Sequence, residues 1–232
     1  MTLYKVLNED GSCCHSGSGK WHQNGKWMPK IKGKLIQCRN GYHLCRDEQI
    51  LNWLGPTIWI AEHDGELLES DDKVVVRRAR LVEKTKWNAK SSIFFEADCA
   101  EHVLHIYEKK YFDDYRVRNA IIAARESTLD SREKRAKAAE AAAKAAWAEW
   151  AGDTAAETAA KATWAAEAAW AAWAAEAAEA AEAAVRATWA AEAAVWAAVW
   201  AAEAADDKET EREWQWERLQ YYLENDVTEM EA

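Results

Sequence analysis

Apolar residues follow two different rhythms along this chain. Up to about residue 87 they come in short runs or alternating positions separated by turn residues; beyond it they recur every three or four residues. The first rhythm marks strands with a face turned to a core, the second amphipathic helices. The first part predicts short strands at residues 3–7, 34–38, 42–44, 57–61, 66–69 and 73–83. Asp64-Gly65 between two of them is a hairpin signal. Residues 11–33, rich in Gly, Ser, Lys and Trp, read as an extended loop or hairpin. Residues 47–54 predict a short helix, stopped at Gly55-Pro56 because proline cannot continue it. In 73–83 neither face is cleanly apolar, which fits an edge strand.

The rhythm changes at Asn88, a predicted N-cap. Ile93, Ala97, Ala100, Leu104 and Tyr107 form one helical stripe, which Asp113-Asp114 breaks. A second helix carries Val117, Ala120, Ile121 and Ala124 on its inner face. Asp130 and Glu133 have capping-box spacing and open a third helix, closed near Gly152. Thr154-Ala-Ala-Glu157 is a second box, and from there to Glu224 no Gly or Pro occurs. A break is predicted near residue 205, where Asp206-Asp-Lys-Glu209 repeats the capping spacing.

Composition sharpens the second half. Forty of the seventy residues from 136 to 205 are alanine, the best helix former. The run Trp-Ala-Ala-Glu-Ala-Ala starts at Trp164, Trp173, Trp189 and Trp200. At about 100° per residue, Trp189, Trp196 and Trp200 fall within about 40° of Trp164, while Trp170 and Trp173 fall on the far side. Tryptophans so placed predict helices buried on more than one side, in a bundle or against a partner. The expected fold is α+β and helix-dominated. Residues 1–87 form a small β-rich domain, 88–151 a three-helix connector, and 152–232 an Ala/Trp-rich region of long bundled helices.

Charge changes the picture of partners. Residues 1–153 hold 25 Lys and Arg against 23 Asp and Glu, whereas residues 154–232 hold 5 against 17. An acidic half repels phosphate backbones, so nucleic acid is not an expected partner. The ten-residue charge-free run 193–202 falls well short of the roughly 20 residues a membrane span needs. The five cysteines are odd in number and follow no secretory leader, so reduced thiols in a cytoplasm are expected.

Candidate chemistry is sparse. Cys13-Cys14-His15, Cys38, His43 and Cys45 hold zinc-type ligands, but Cys38-x4-His43-x-Cys45 is not a zinc spacing. Core cysteines and a hydrogen-bonded histidine are the simpler reading. A Cys/His nucleophilic pair there lacks a supporting signature, and His102 with His105 is a weak metal signal. Arg77, Arg78, Arg80, Lys84, Lys86 and Lys90, with Trp87 beside them, form a basic stretch. It reads as a phosphate site, a solvated edge, or the internal partner of the acidic helices. There is no Gly-rich phosphate loop and no nucleophile elbow.

Two stretches resemble known families. Tyr4-Lys-Val-Leu7, Cys38-Arg-Asn-Gly-Tyr-His-Leu-Cys45, Leu54-Gly-Pro-Thr-Ile-Trp-Ile-Ala-Glu62, Gly65-Glu66 and Asp71-Asp-Lys-Val-Val-Val76 resemble a domain of unknown function common in bacteriophage proteins. Asp98-Cys-Ala-Glu-His-Val-Leu104, Asp113-Asp114 and Arg118-Asn-Ala-Ile-Ile-Ala-Ala-Arg125 are similar to a family of bacterial immunity proteins with alanine-rich helices. Together they cover about half the chain. The first resemblance implies a structural or ligand-contacting His43 and weakens the zinc reading further; neither supplies catalytic residues.

The expected function is a non-enzymatic phage or prophage interaction protein. It would bind and inhibit a host defence or toxin protein in the bacterial cytoplasm, with self-association through the Ala/Trp helices as a further route. The alternatives are sequestration of a small signalling nucleotide, or a nucleotide-acting enzyme in the N-terminal domain with a helical oligomerisation arm. Candidate binding residues are Tyr42, His43, Arg78, Arg80, Trp87, Trp164, Trp170, Trp173, Trp189, Trp196 and Trp200. No catalytic residue, metal ligand or cofactor is assigned.

Overall fold

A computed structural model of the protein describes residues 2–127 and 194–227. The predicted caps at Asp130 and Thr154, the tryptophans Trp164, Trp170, Trp173 and Trp189, and the long helices expected around them lie outside the described residues. Within these residues the fold is α+β. Six strands, β1 (Leu3–Leu7), β2 (Tyr42–Arg46), β3 (Thr57–His63), β4 (Leu67–Glu69), β5 (Val74–Val76) and β6 (Ala79–Lys84), form one antiparallel sheet in the order β4-β5-β2-β1-β3-β6. A 3-10 helix (Asp47–Asn52) joins β2 to β3. The helices are α1 (Ala89–His102), α2 (Leu104–Lys110), α3 (Arg116–Ser127), α4 (helical residues 194–204) and α5 (Lys208–Glu224).

Several expectations are corrected. Residues 34–38 form no strand; Ile36 makes only an isolated bridge to Asn40. The run 73–83 is two strands, because the chain leaves the sheet at Arg77 and Arg78 and returns at Ala79 on the opposite edge. That switch explains why neither face of the run reads as apolar. The first helical stripe is two helices, interrupted at Val103. The last helix is capped by Asp207, not Asp206: its carboxylate accepts the amides of Glu209 and Thr210.

Both faces of the sheet are buried. Along β1, Tyr4 and Val6 join the core shared with the helices, while Leu3 and Leu7 join a second core on the other side. This is the two-residue period of a strand. The 3-10 helix and the helices cover the first face through Ile50, Leu51, Phe95, Leu219 and Tyr222. The long connection between β1 and β2 covers the second with Trp21 and Met28. In α4 the buried face is the alanine face, Ala194, Ala197, Ala198 and Ala201, whereas Trp196 is 55% exposed. Among the described residues, Trp196 is therefore not covered by its own chain. A methyl side chain lets helix axes approach closely, so Gln215 of α5 reaches the Ala198 carbonyl at 2.9 Å.

Candidate functional site

The site begins where the sheet splits. β1 pairs with β3 along all five of its residues, but with β2 only at Leu3↔Arg46 and Tyr4↔Cys45. Residues Tyr42, His43 and Leu44 pair only with β5. The strands thus part beyond Tyr4 and Cys45, and a cleft of about 370 Å³ occupies the opening. Lys5 and Val6 of β1, Tyr42–Cys45 of β2, the 13–19 loop and Trp53 wall it.

Local sequence sets this geometry. Gly41 opens β2 at φ +145°, and a Cβ there would lie 2.2 Å from Val75 Cγ1. No side chain is tolerated, which is a physical reason for glycine in the Gly-Tyr-His run. Cys38 takes a left-handed conformation, φ +59°, and its amide donates to His43 Nε2 at 2.9 Å. Non-glycine residues reach this region at a cost and cluster at functional sites. Ser16, φ +44°, is a second such residue lining the cleft.

Cations dominate the electrostatics. Lys5, Arg39 and Lys73 line the cleft, and among the described lining residues there is no Asp or Glu. Lys5 Nζ donates to the His43 carbonyl at 3.2 Å and lies 5.2 Å from the Trp21 ring centre. The Lys73 side chain is only 11% exposed; its ammonium sits 4.0 Å from the Trp53 ring centre and 3.1 Å from Asp72. Trp53 is fixed by its Nε1–H, which donates to the Asp72 carbonyl at 2.9 Å. His15 packs edge-on against that ring and donates from Nε2 to the carbonyls of Trp53 and Leu54.

These contacts fix protonation. Burial, with Lys5 and Lys73 beside it, holds the His43 pKa below its ordinary value. Because Nε2 accepts from Cys38, the neutral ring carries its proton on Nδ1. Burial also pushes the Cys45 thiol up to about 12, so it stays protonated and is no nucleophile. Among the described residues no three His, Cys, Asp or Glu side chains are placed to hold a metal ion.

Of the predicted contact residues that lie among the described residues, the cleft holds Tyr42 and His43. Arg78 and Arg80 lie elsewhere, flanking Trp27 and paired with Asp64 and Glu62. With Arg77 on Glu66 and Lys84 on Glu9, these four residues of the basic stretch have acidic partners within the β-rich part of the chain. Trp87 is core: it is 1% exposed, donates to the Gly55 carbonyl at 2.9 Å and meets Phe95 edge-on. Trp196 and Trp200 stack on α4 with ring centres 5.6 Å apart, away from the cleft lining.

Sequence reasoning missed Lys5, Lys73 and Trp53. One signal existed: a lysine inside the apolar strand Leu-Tyr-Lys-Val-Leu, and another at the head of Val74–Val76, each break a run that packing alone would keep apolar. No protein-family model, no curated protein and no solved structure matches this chain.

Proposed function

We propose that the protein is a non-catalytic binding protein that captures a small anionic molecule in the cleft between β1 and β2. The observation that carries this reading is the charge of the cleft. The chain has net charge −10, yet the described lining holds three cations and no carboxylate. An acidic surface repels anions at long range, so a local concentration of positive charge in a concave, partly desolvated site selects for them. Capture without turnover fits the same residues. His43 is neutral and already accepts a backbone amide, Cys45 is held as a thiol, and no lining carboxylate is present to orient a base.

Isothermal titration of the full chain with a panel of small anions tests this. The expected result is saturable binding of at least one anion, weakened by salt and about tenfold weaker in Lys5→Met, with the ligand recovered unchanged. Absence of anion binding, or equal binding by Lys5→Met, overturns it.

A second reading keeps the protein as a phage or prophage inhibitor of a host defence or toxin protein. Its support is Trp196, exposed and stacked on the partly buried Trp200, since tryptophan is a typical anchor of protein interfaces. The long Ala/Trp helices expected between residues 154 and 205 would extend that surface. Loss of toxin neutralisation in Trp196→Ala, with the fold intact, is the expected outcome under this reading.

A further inference from the structure

The cleft also says what kind of anion fits. Its volume of about 370 Å³ lies in the range of small-molecule pockets, roughly 300–1,000 Å³, so a bare phosphate fills only part of it. The rest of the wall is rich in rings: Trp21, Tyr42, Trp53, His15 and His43. Two of the three cations ride on indoles, Lys73 on Trp53 and Lys5 near Trp21. Each pair sets an ammonium against an indole ring at the cleft wall.

The wall is also built rather than incidental. Trp53 is held by the Asp72 carbonyl, His15 by two carbonyls, and His43 by the Cys38 amide. Side chains fixed in this way meet a ligand with little ordering cost.

Resting on the anion-capture reading, we infer that the ligand is a phosphate joined to a flat heterocycle, the chemistry of a mononucleotide. Lys5 is the assigned phosphate contact. One carbonyl engages it, and an ammonium has three donors, so two remain. Arg39 is exposed and supplies further positive charge in the lining. Lys73 is partly neutralised by Asp72, and with Trp53 it forms the wall for the ring.

Titration calorimetry on the full chain decides this, using nucleoside 5′-monophosphates, the matching nucleosides, pyrophosphate and 4-hydroxybenzoate. The expected result is that at least one nucleotide binds about tenfold or more tightly than its nucleoside and than pyrophosphate. Lys5→Met should remove most of the nucleotide's advantage over the nucleoside. Arg39→Ala, in an exposed turn where folding is not at risk, should weaken nucleotide and pyrophosphate together. If pyrophosphate binds as tightly as every nucleotide, anion capture stands and the ring assignment is wrong. Tighter binding of 4-hydroxybenzoate overturns the phosphate assignment. A nucleoside equal to its nucleotide, or no binding by any compound, overturns this inference and the anion reading together.

Discussion

Single residues carry opposite kinds of constraint in this protein. Gly41 must stay small. At φ +145°, with Val75 Cγ1 2.2 Å from any Cβ, Gly41→Ala forces both backbone strain and a clash. Strain and overpacking each cost about 1–3 kcal/mol, so urea denaturation should show a loss of about 2–6 kcal/mol and anion binding should fall with it. Glu96 is the reverse case, a residue the fold would be better without. Both carboxyl oxygens are fully buried and without a hydrogen-bond partner, and burial raises the pKa well above 4.5. The folded state therefore holds this proton after the unfolded chain has lost it, and stability falls as pH rises above about 4.5. Glu96→Gln keeps the shape and removes the titration. Its melting temperature should match the wild type near pH 4.5 and exceed it increasingly toward pH 8; a constant difference across that range would show that Glu96 does not titrate in the fold.

Helices show where local signals suffice and where they do not. Asn88 is legible as an N-cap and is one, its Oδ1 accepting the amides of Lys90 and Ser91 at 2.9 and 3.1 Å. Asn88→Ala should cost about 1 kcal/mol in the same denaturation experiment. Capping is local chemistry, so it reads from four residues. Val103, where α1 gives way to α2, carries no such signal, because the apolar stripe continues through it. Asp98 was legible only as part of a motif. In the structure it is 7% exposed and accepts from Arg125 of α3 at 2.7 Å and from Arg218 and Tyr222 of α5, tying three helices together. Residues up to 124 positions apart meet there, a distance no sequence window spans. Asp98→Ala removes all three of these contacts at once, although Arg125 keeps Glu101 and both arginines are partly exposed, and should cost about 3 kcal/mol. Tyr222→Phe, which removes the hydroxyl's bond to Asp98 and the one it accepts from Arg218 while the two arginines remain, should cost about 1–2 kcal/mol. Equal losses in the two variants would mean that Asp98 does not act as the hub.

At the scale of the whole molecule, one core joins sheet and helices, and this is what hid the site from the sequence. Periodicity identifies which strand positions are buried, but the cleft depends on how far β1 and β2 stay paired, and that is set by what packs on both faces. Trp21 arrives from a long irregular connection, and Trp53 is held by Asp72, nineteen residues on. Helix α5 completes the arrangement. Arg212 donates to Asn52 at the end of the 3-10 helix, the Lys86 amide donates to the Leu223 carbonyl, and Trp216 meets Tyr4 of β1 edge-on. Leu219, fully buried in the shared core, touches the consequence directly. Leu219→Ala removes buried surface from α5 alone in sequence but from both layers in space, and should cost about 2–5 kcal/mol. If the layers share one cooperative core, far-ultraviolet dichroism at helical wavelengths and a ligand-binding readout of the cleft should lose their signals at the same, lowered urea midpoint. A cleft that keeps its wild-type midpoint while the helices melt earlier would show that the sheet stands alone, and that the anion site does not depend on the helical layer above it.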